Sequence, residues 1–225
     1  MNETFQRSEK KYLLSMEQYE TILRLLEGYI QPDRYHHSDL RSIYCDTNQY
    51  ELIRRSIEKP LYKEKLRIRS YGNLKENDLV YVEFKKKYDG IVYKRRTKAP
   101  YEQALTDIYS SDFLDRQVGE EIRYALQYYG HLSPKIYIGT SRSSFIGKED
   151  EKLRITFDTD IRYRMKDLSL EKKLADKLLT DQIVMELKIP GAMPLWLSGI
   201  LDEVHAYPRG FSKVGAAFLK EIKGE

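Results

Sequence analysis

Eight short segments of the chain alternate apolar and polar residues with a period of two, which is the pattern of a β-strand with one buried face. They lie near residues 7–14, 40–46, 61–71, 79–88, 91–98, 134–145, 153–159 and 182–189. Turn residues separate several segments, and Asp89-Gly90 between the fourth and the fifth is a strong hairpin signal. The pattern therefore predicts eight strands with mostly antiparallel pairing.

The polar faces of these segments are unusually rich in Lys and Arg. In the third segment, Lys65, Arg67 and Arg69 share one face. Leu66 and Ile68 share the opposite face. In the other segments the charged faces carry Arg7, Glu9, Lys11, Glu83, Lys85, Lys94, Arg96, Arg142, Arg154, Asp158, Glu186 and Lys188. Like charges repeated at this spacing repel one another unless an anion lies among them.

Helical periodicity occurs mainly between the strands, near residues 15–30, 48–57, 100–109, 114–129, 194–206 and 212–222. Ser15 and Gln18 form a capping box at the start of the first of these segments. We find no internal repeat and no linker rich in Gly, Ser or Pro. A chain of 225 residues is therefore expected to fold as a single domain over residues 1–225.

Two folds would account for the charged faces. In the first, they are the solvated side of an open sheet. In the second, the sheet closes with its charged faces inward and the helices cover its apolar outer face, an arrangement that requires a polyanionic guest. We favour the second and predict an α+β fold, an eight-stranded antiparallel β-barrel with helices packed outside, whose basic tunnel binds a linear polyphosphate or a nucleoside triphosphate.

The remaining composition places limits on the setting. The one cysteine, Cys45, excludes an intramolecular disulfide and favours a reducing compartment. No apolar run approaches the ~18 residues that indicate a membrane span. We expect a cytoplasmic protein without a membrane segment. His36 and His37 are predicted to lie in a surface loop before the second strand.

Five strings carry a resemblance to a known family: IYCDT at 43–47, KLRIRSYG at 65–72, VEFK at 82–85, MELK at 185–188 and FSK at 211–213. In this order they resemble the catalytic domain of the vacuolar transporter chaperone (VTC) family. That family comprises polyphosphate polymerases within the superfamily of triphosphate tunnel metalloenzymes, also called CYTH-like.

The resemblance implies an enzyme that transfers the terminal phosphoryl group of ATP to a growing inorganic polyphosphate, with Mn²⁺ or Mg²⁺ as cofactor. Carried over by position, the family's catalytic cations correspond to Lys11, Arg67, Arg69, Lys85, Lys94 and Arg142. Its substrate-binding positions correspond to Arg96, Arg154, Lys188, Ser212 and Lys213. Glu186 corresponds to the metal-binding carboxylate, and Glu9, Glu83 and Asp158 could share the ion.

Other functions remain open. The hydrolytic branch of the superfamily begins with Glu-x-Glu-x-Lys on its first strand, whereas here Arg7 replaces the first carboxylate in the run 7–11. The replacement favours a polymerase over a triphosphatase. A sensor that binds polyphosphate or nucleotide without turnover is a further alternative. A single-stranded nucleic-acid binder ranks last, because the cations concentrate on the inward faces of the strands. We therefore expect no nucleic-acid partner.

Overall fold

The alternating segments form strands in the computed structural model, which describes residues 8–58, 60–75, 78–89, 91–110, 116–172 and 175–224. The strands are β1 (Ser8–Ser15), β2 (Ile30–Asp46), β3 (Tyr62–Tyr71), β4 (Leu79–Tyr88), β5 (Ile91–Pro100), β6 (Ser133–Gly147), β7 (Arg154–Arg164), β8 (Asp176–Lys177) and β9 (Gln182–Ile189). The helices are α1 (Met16–Leu26), α2 (Glu51–Ile57), α3 (Tyr101–Ser110), α4 (Arg116–Tyr128), α5 (Leu195–Glu203) and α6 (Lys213–Lys223).

All the strands belong to one sheet, whose hydrogen-bonded order is β1-β9-β7-β6-β2-β3-β4-β5, with the short β8 paired to β7. The pairs β1–β9, β9–β7, β7–β8, β2–β3, β3–β4 and β4–β5 are antiparallel. The predicted α+β class and antiparallel pairing are confirmed. The described strands number nine, one more than predicted, because the two-residue β8 was not predicted. Their order is an open path with β1 and β5 at its ends, so the predicted closure into a barrel is not seen among them.

The chain divides into two compact units, and β2, β6 and β7 each contribute residues to both. The first unit comprises the described residues of Met1–Ser38, Thr140–Ile161 and Leu179–Phe211. The second comprises those of Asp39–Gly139, Arg162–Leu178 and Ser212–Glu225.

In the first unit, helices α1 and α5 cover the apolar face of strands β1, β9 and β7. Helix α1 begins as predicted, because the Ser15 Oγ accepts the Gln18 N–H at 3.1 Å and the Gln18 side chain accepts the Ser15 N–H at 2.9 Å. The core side chains include Tyr12, Leu14, Ile22, Leu26, Ile155, Phe157, Met185, Leu187, Leu197 and Leu201. The residues that alternate with these core residues along each strand point to the opposite, charged face.

In the second unit, helices α3 and α4 cover the apolar face of strands β3 and β4. The core here includes Leu66, Ile68, Val82, Phe84, Ala104, Ile108, Ile122 and Leu126. The predicted β4–β5 hairpin is present, and Asp89 has the positive φ of 43° that such a tight turn requires.

The predicted end of α1 and the predicted start of β2 are wrong. Helix α1 ends at Leu26, and Ile30 is the buried first residue of β2, not part of the helix. Strand β2 therefore starts ten residues before the predicted position and contains His36 and His37, whose predicted loop is also wrong. The His36 Nδ1 lies 3.0 Å from the Ser144 carbonyl oxygen of β6. The early part of β2 was missed because its residues are mostly polar on both faces, so that no apolar alternation marks it.

A search of the described helices for a segment with the length and apolar character of a membrane span finds none.

Candidate functional site

Strands β3, β4 and β5 align their charged residues in rows. Lys65 lies opposite Lys85, which in turn lies opposite Lys94. The next row consists of Arg67, Glu83 and Arg96. Directly opposite residues of antiparallel strands point to the same face. We call the face that carries these two rows, together with Arg69, the cation face of the second unit.

Glu83 is the acidic centre of the cation face. It is only 1% exposed, and its Oε2 accepts from the Arg67 Nε at 2.7 Å. The Arg69 guanidinium lies 3.9 Å from the same oxygen, and the Lys94 ammonium contacts the other oxygen. Burial alone would raise the pKa of Glu83, but the charges of Arg67, Arg69 and Lys94 lower it to about 2. Glu83 is therefore ionised at neutral pH and positions three of the predicted site cations.

Tyr44 of β2 also belongs to this site, although sequence analysis did not single it out. It lies opposite Arg67 in the β2–β3 register, and its hydroxyl oxygen accepts from Arg67 at 3.0 Å. Burial alone would raise the pKa of Tyr44, but the charges of Arg67, Arg69 and Lys65 and this hydrogen bond lower it to about 7. Tyr44 lies two residues after Ser42, so both side chains point to the same face of β2. The Ser42 Oγ accepts from Arg69 at 2.9 Å, and this two-residue spacing is the sequence signal that could have identified Tyr44.

The start of helix α6 reaches the same face. The Ser212 Oγ caps the helix by accepting the Gly215 N–H at 3.2 Å, and it also accepts from the Lys65 Nζ at 2.9 Å. Lys213 is the first residue of the helix. Helix N-termini attract anions, so Ser212 and Lys213 lie where phosphate binding would be favoured.

The first unit holds a second charged group around Glu186. The Glu186 carboxylate is 12% exposed and lies 3.0 Å from the Lys188 Nζ and 3.8 Å from the Lys11 Nζ. Lys11 also lies 3.4 Å from Glu9. Burial alone would raise the pKa of Glu186, but the charges of Lys188, Lys11 and Arg142 hold it well below the usual value. We call Glu9, Lys11, Glu186 and Lys188 the Glu186 cluster.

The other two predicted cations of the first unit are held by aspartates. Arg142 makes two hydrogen bonds, of 2.6 and 2.7 Å, to the fully buried carboxylate of Asp158. This bidentate geometry fixes the plane of the guanidinium. Arg154 lies 3.3 Å from Asp33, a residue in the part of β2 that the sequence analysis did not predict.

The donor set of the Glu186 cluster suits a divalent ion that draws most of its ligands from phosphate and water. Among the described residues, His, Cys, Asp and Glu side chains form no group of three or more that could hold a metal by themselves. Mg²⁺ characteristically binds through one or two carboxylates plus substrate phosphates. Glu186 and Glu9, which both lie near the Lys11 ammonium group, supply two carboxylates. Of the other carboxylates that could share an ion, Glu83 and Asp158 are already paired with arginines.

The predicted site residues thus fall into two sets, one on each unit. The second unit brings together Arg67, Arg69, Lys85, Lys94, Arg96, Ser212 and Lys213. The first unit carries Lys11, Arg142, Arg154, Glu186 and Lys188. Arg7 lies outside the described residues. The individual roles of the residues in both sets stay predictions.

Comparison with known families finds a match to the VTC domain over residues 6–220. Two solved structures have a similar fold. A "putative adenylate cyclase" from Bacillus halodurans has a TM-score of 0.55 and 15% identity, over 92% of this chain and 95% of that chain. The PH1819 protein from Pyrococcus horikoshii OT3 has a TM-score of 0.50 and 12% identity, over 96% and 99% of the two chains. At these identities the likeness shows the fold alone. No curated protein matches the sequence.

Proposed function

The chain belongs to the VTC domain family and has the triphosphate tunnel fold, and from this premise we propose that it is a metal-dependent polyphosphate polymerase. The donor is ATP, and the acceptor is a growing chain of inorganic polyphosphate. The single observation that best supports a polyanionic substrate is the row of Lys65, Lys85 and Lys94 across three adjacent strands. Like charges directly opposite one another destabilise a sheet. A phosphate chain along the row would offset that repulsion.

In the proposed reaction, a terminal oxygen of the polyphosphate attacks the γ-phosphorus of ATP. The bond between the γ-phosphorus and the β–γ bridging oxygen breaks, and ADP leaves with the electron pair of that bond. Phosphoryl transfer of this kind requires positioning and charge neutralisation more than covalent help from the protein.

The residues of the chain would supply both requirements. Arg67 and Arg69 offer planar donor groups that match two phosphate oxygens at once. Glu83 holds Arg67 through hydrogen bonds and ion contacts of 2.6–2.7 Å, so the guanidinium is positioned before the substrate arrives. Lys85 and Lys94 add point charges in the neighbouring strands. A divalent ion held by Glu186 would supply further charge neutralisation at phosphate oxygens.

The test is incubation of the purified chain with ATP and Mn²⁺, with polyphosphate, ADP and free phosphate resolved by chromatography. We expect ADP and phosphate chains to accumulate together. Free phosphate as the only phosphate product would replace the proposal with a triphosphatase. Cyclic AMP would indicate a cyclase instead. Tight ATP binding without turnover would leave a sensor.

A matched pair of variants ties the activity to the cation face. Arg67→Ala combined with Arg69→Ala should reduce turnover by orders of magnitude and weaken triphosphate binding by several kcal/mol, at ~1.5–3 kcal/mol for each charged hydrogen bond. The control is Arg95→Ala. Arg95 lies on the opposite face of β5, where its Nε is 3.1 Å from Glu121 of α4. This variant should keep the wild-type rate, and loss of activity in it alone would reverse the assignment of the two faces.

A further inference from the structure

Thr156 of β7 carries a buried hydroxyl that no described residue satisfies. The residue is 4% exposed, and its Oγ1 has no hydrogen-bond partner among the described residues. Buried polar atoms are nearly always paired, because a group that loses its bonds to water without replacement destabilises the fold. An unpaired atom in such a position calls for a partner beyond the described residues, such as a bound ion.

The register places Thr156 beside the predicted metal ligand. Thr156 lies directly opposite Glu186 on the neighbouring strand β9. Lys11 lies opposite Glu186 on the other side. Residues paired in this way point to the same face, with Cβ atoms about 4.5–5.5 Å apart. Thr156, Glu186 and Lys11 therefore form one row on the charged face of the first unit, which Asp158 of β7 shares.

The oxygen donors of the row suit a divalent cation. Glu186 is flanked by the Lys188 and Lys11 ammonium groups, which lie 3.0 and 3.8 Å from its carboxylate. A carboxylate and a hydroxyl are both oxygen donors, the kind of ligand that Mg²⁺ and Mn²⁺ prefer. Thr and Ser hydroxyls bind Mg²⁺ in other phosphate-transferring proteins. The same hydroxyl can also donate to a phosphate oxygen, which Lys11 and Lys188 would attract, and the Mn²⁺ measurement below distinguishes the two partners.

We propose that Thr156 is a second protein ligand, beside Glu186, for the divalent cation of the enzyme. The inference rests on the proposed function, because that function requires the cation. The Thr156 oxygen can turn its lone pairs to the ion without breaking an existing hydrogen bond. Binding at Glu186 also competes with the two lysines for the carboxylate, which shifts their ammonium groups toward phosphate oxygens.

The first measurement is Mn²⁺ binding to the free chain. Binding is detected as a loss of the electron paramagnetic resonance signal of aqueous Mn²⁺. We expect Thr156→Val, which keeps the shape and removes the oxygen, to weaken Mn²⁺ binding about tenfold, the lower end of the loss seen when a supporting group of a metal site is removed. Thr156→Ser keeps the hydroxyl and should bind within about twofold of wild type on the same reasoning. Glu186→Gln should abolish binding.

The second measurement is thermal unfolding without metal, and it separates a ligand from a structural hydroxyl. Thr156→Val removes an unsatisfied buried group, so its Tm without metal should equal or exceed that of wild type. Added Mn²⁺ should raise the Tm of wild type and of Thr156→Ser more than that of Thr156→Val. A lower Tm without metal, together with unchanged Mn²⁺ affinity, would show that Thr156 acts through the fold and would overturn the proposal.

Three other outcomes are decisive. Wild type that takes up no Mn²⁺, or a Thr156→Val variant that binds Mn²⁺ like wild type, overturns the assignment. A chain that binds Mn²⁺ through Thr156 but makes no polyphosphate supports it and contradicts the polymerase proposal. The two proposals therefore fail separately.

Discussion

Tyr44 combines an ionisable hydroxyl with direct contact to a predicted phosphate-binding arginine. Its oxygen accepts from Arg67 at 3.0 Å, and its pKa is lowered to about 7. The phenolate form thus supplies negative charge to the arginines when no phosphate is bound. A bound phosphate chain would offset the same positive charges, so it should raise the pKa of Tyr44 and cause proton uptake.

We predict a phenolate absorbance change with a midpoint near pH 7 in the wild type, moving to higher pH when tripolyphosphate is added. Tyr44→Phe should lose this transition. Tyr19→Phe is the control and should keep it, because burial raises the pKa of Tyr19. The same transition near pH 7 in Tyr44→Phe would contradict the assignment.

The ionisation of Tyr44 also fixes a sign for the effect of pH on stability. The pKa of Tyr44 is about 7 in the folded chain and near 10.0 when unfolded. The stabilisation of the folded chain by ionised Tyr44 is therefore fully present above pH 10 and lost below about pH 7. Between these values, the free energy of unfolding of wild type relative to Tyr44→Phe should rise by up to about 1 kcal/mol per pH unit. Urea unfolding at pH 6.5 and pH 8.5 measures this difference.

Individual site residues were predictable where strand parity alone decides them. Arg67 and Arg69 lie on the predicted face because Leu66 and Ile68 alternate with them and are buried. Thr156 could not be identified in this way, because its distinguishing property is an absent hydrogen bond. That property depends on every neighbour in the folded structure.

Strand β4 presents two adjacent lysines to opposite environments, which makes it a test of the sheet register. Lys85 lies between Lys65 and Lys94 on the cation face. Lys86 faces helix α4, where its Nζ is 3.6 Å from Glu121. Replacing each lysine by Gln should therefore affect stability and ligand binding differently.

Lys85→Gln should raise the Tm of the unliganded chain by roughly 1–3 °C, because it removes cross-strand repulsion. It should also reduce the further rise in Tm that tripolyphosphate causes. Lys86→Gln is the matched control and should leave that further rise intact while the unliganded Tm stays equal or falls slightly. A fall in the unliganded Tm of Lys85→Gln would mean that the lysine row is not a site of repulsion.

Strands and helices were predicted most accurately where one face is apolar and the other is polar. Strands β4 and β9 occur at the predicted residues because one face of each is almost entirely apolar. Helix α1 was predicted too long because Ile30 fits the helical spacing of Ile22 and Leu26, yet it is buried as the start of a strand. Periodicity cannot distinguish these two ways of burying one residue.

The net charge of the molecule understates the positive charge that is concentrated on the cation face. Lys and Arg exceed Asp and Glu by only four, 39 against 35. The cation face nevertheless carries Lys65, Arg67, Lys85 and Lys94 in the two rows that include the carboxylate of Glu83. A local excess of this kind, and not the total, determines how strongly a linear anion binds.

Affinity for tripolyphosphate should consequently fall steeply with salt. We expect the dissociation constant to rise by roughly tenfold or more between 50 and 200 mM NaCl, linearly in a plot of log affinity against log salt. Calorimetry at several salt concentrations measures the slope. Lys85→Gln should make it shallower, whereas Lys86→Gln should not. A salt-independent affinity would exclude the cation face as the binding surface.

The position of β1 at the end of the sheet has a consequence for how the protein is made. Its partner β9 lies at residues 182–189, so at ~5–20 residues per second the ribosome delivers β9 roughly 10–35 s after β1. Strands β3, β4 and β5 are consecutive and can pair long before that. During synthesis β1 has no β9 to pair with until that strand has been made. The charges of Glu9, Lys10 and Lys11 disfavour pairing of β1 with other nascent chains in this interval.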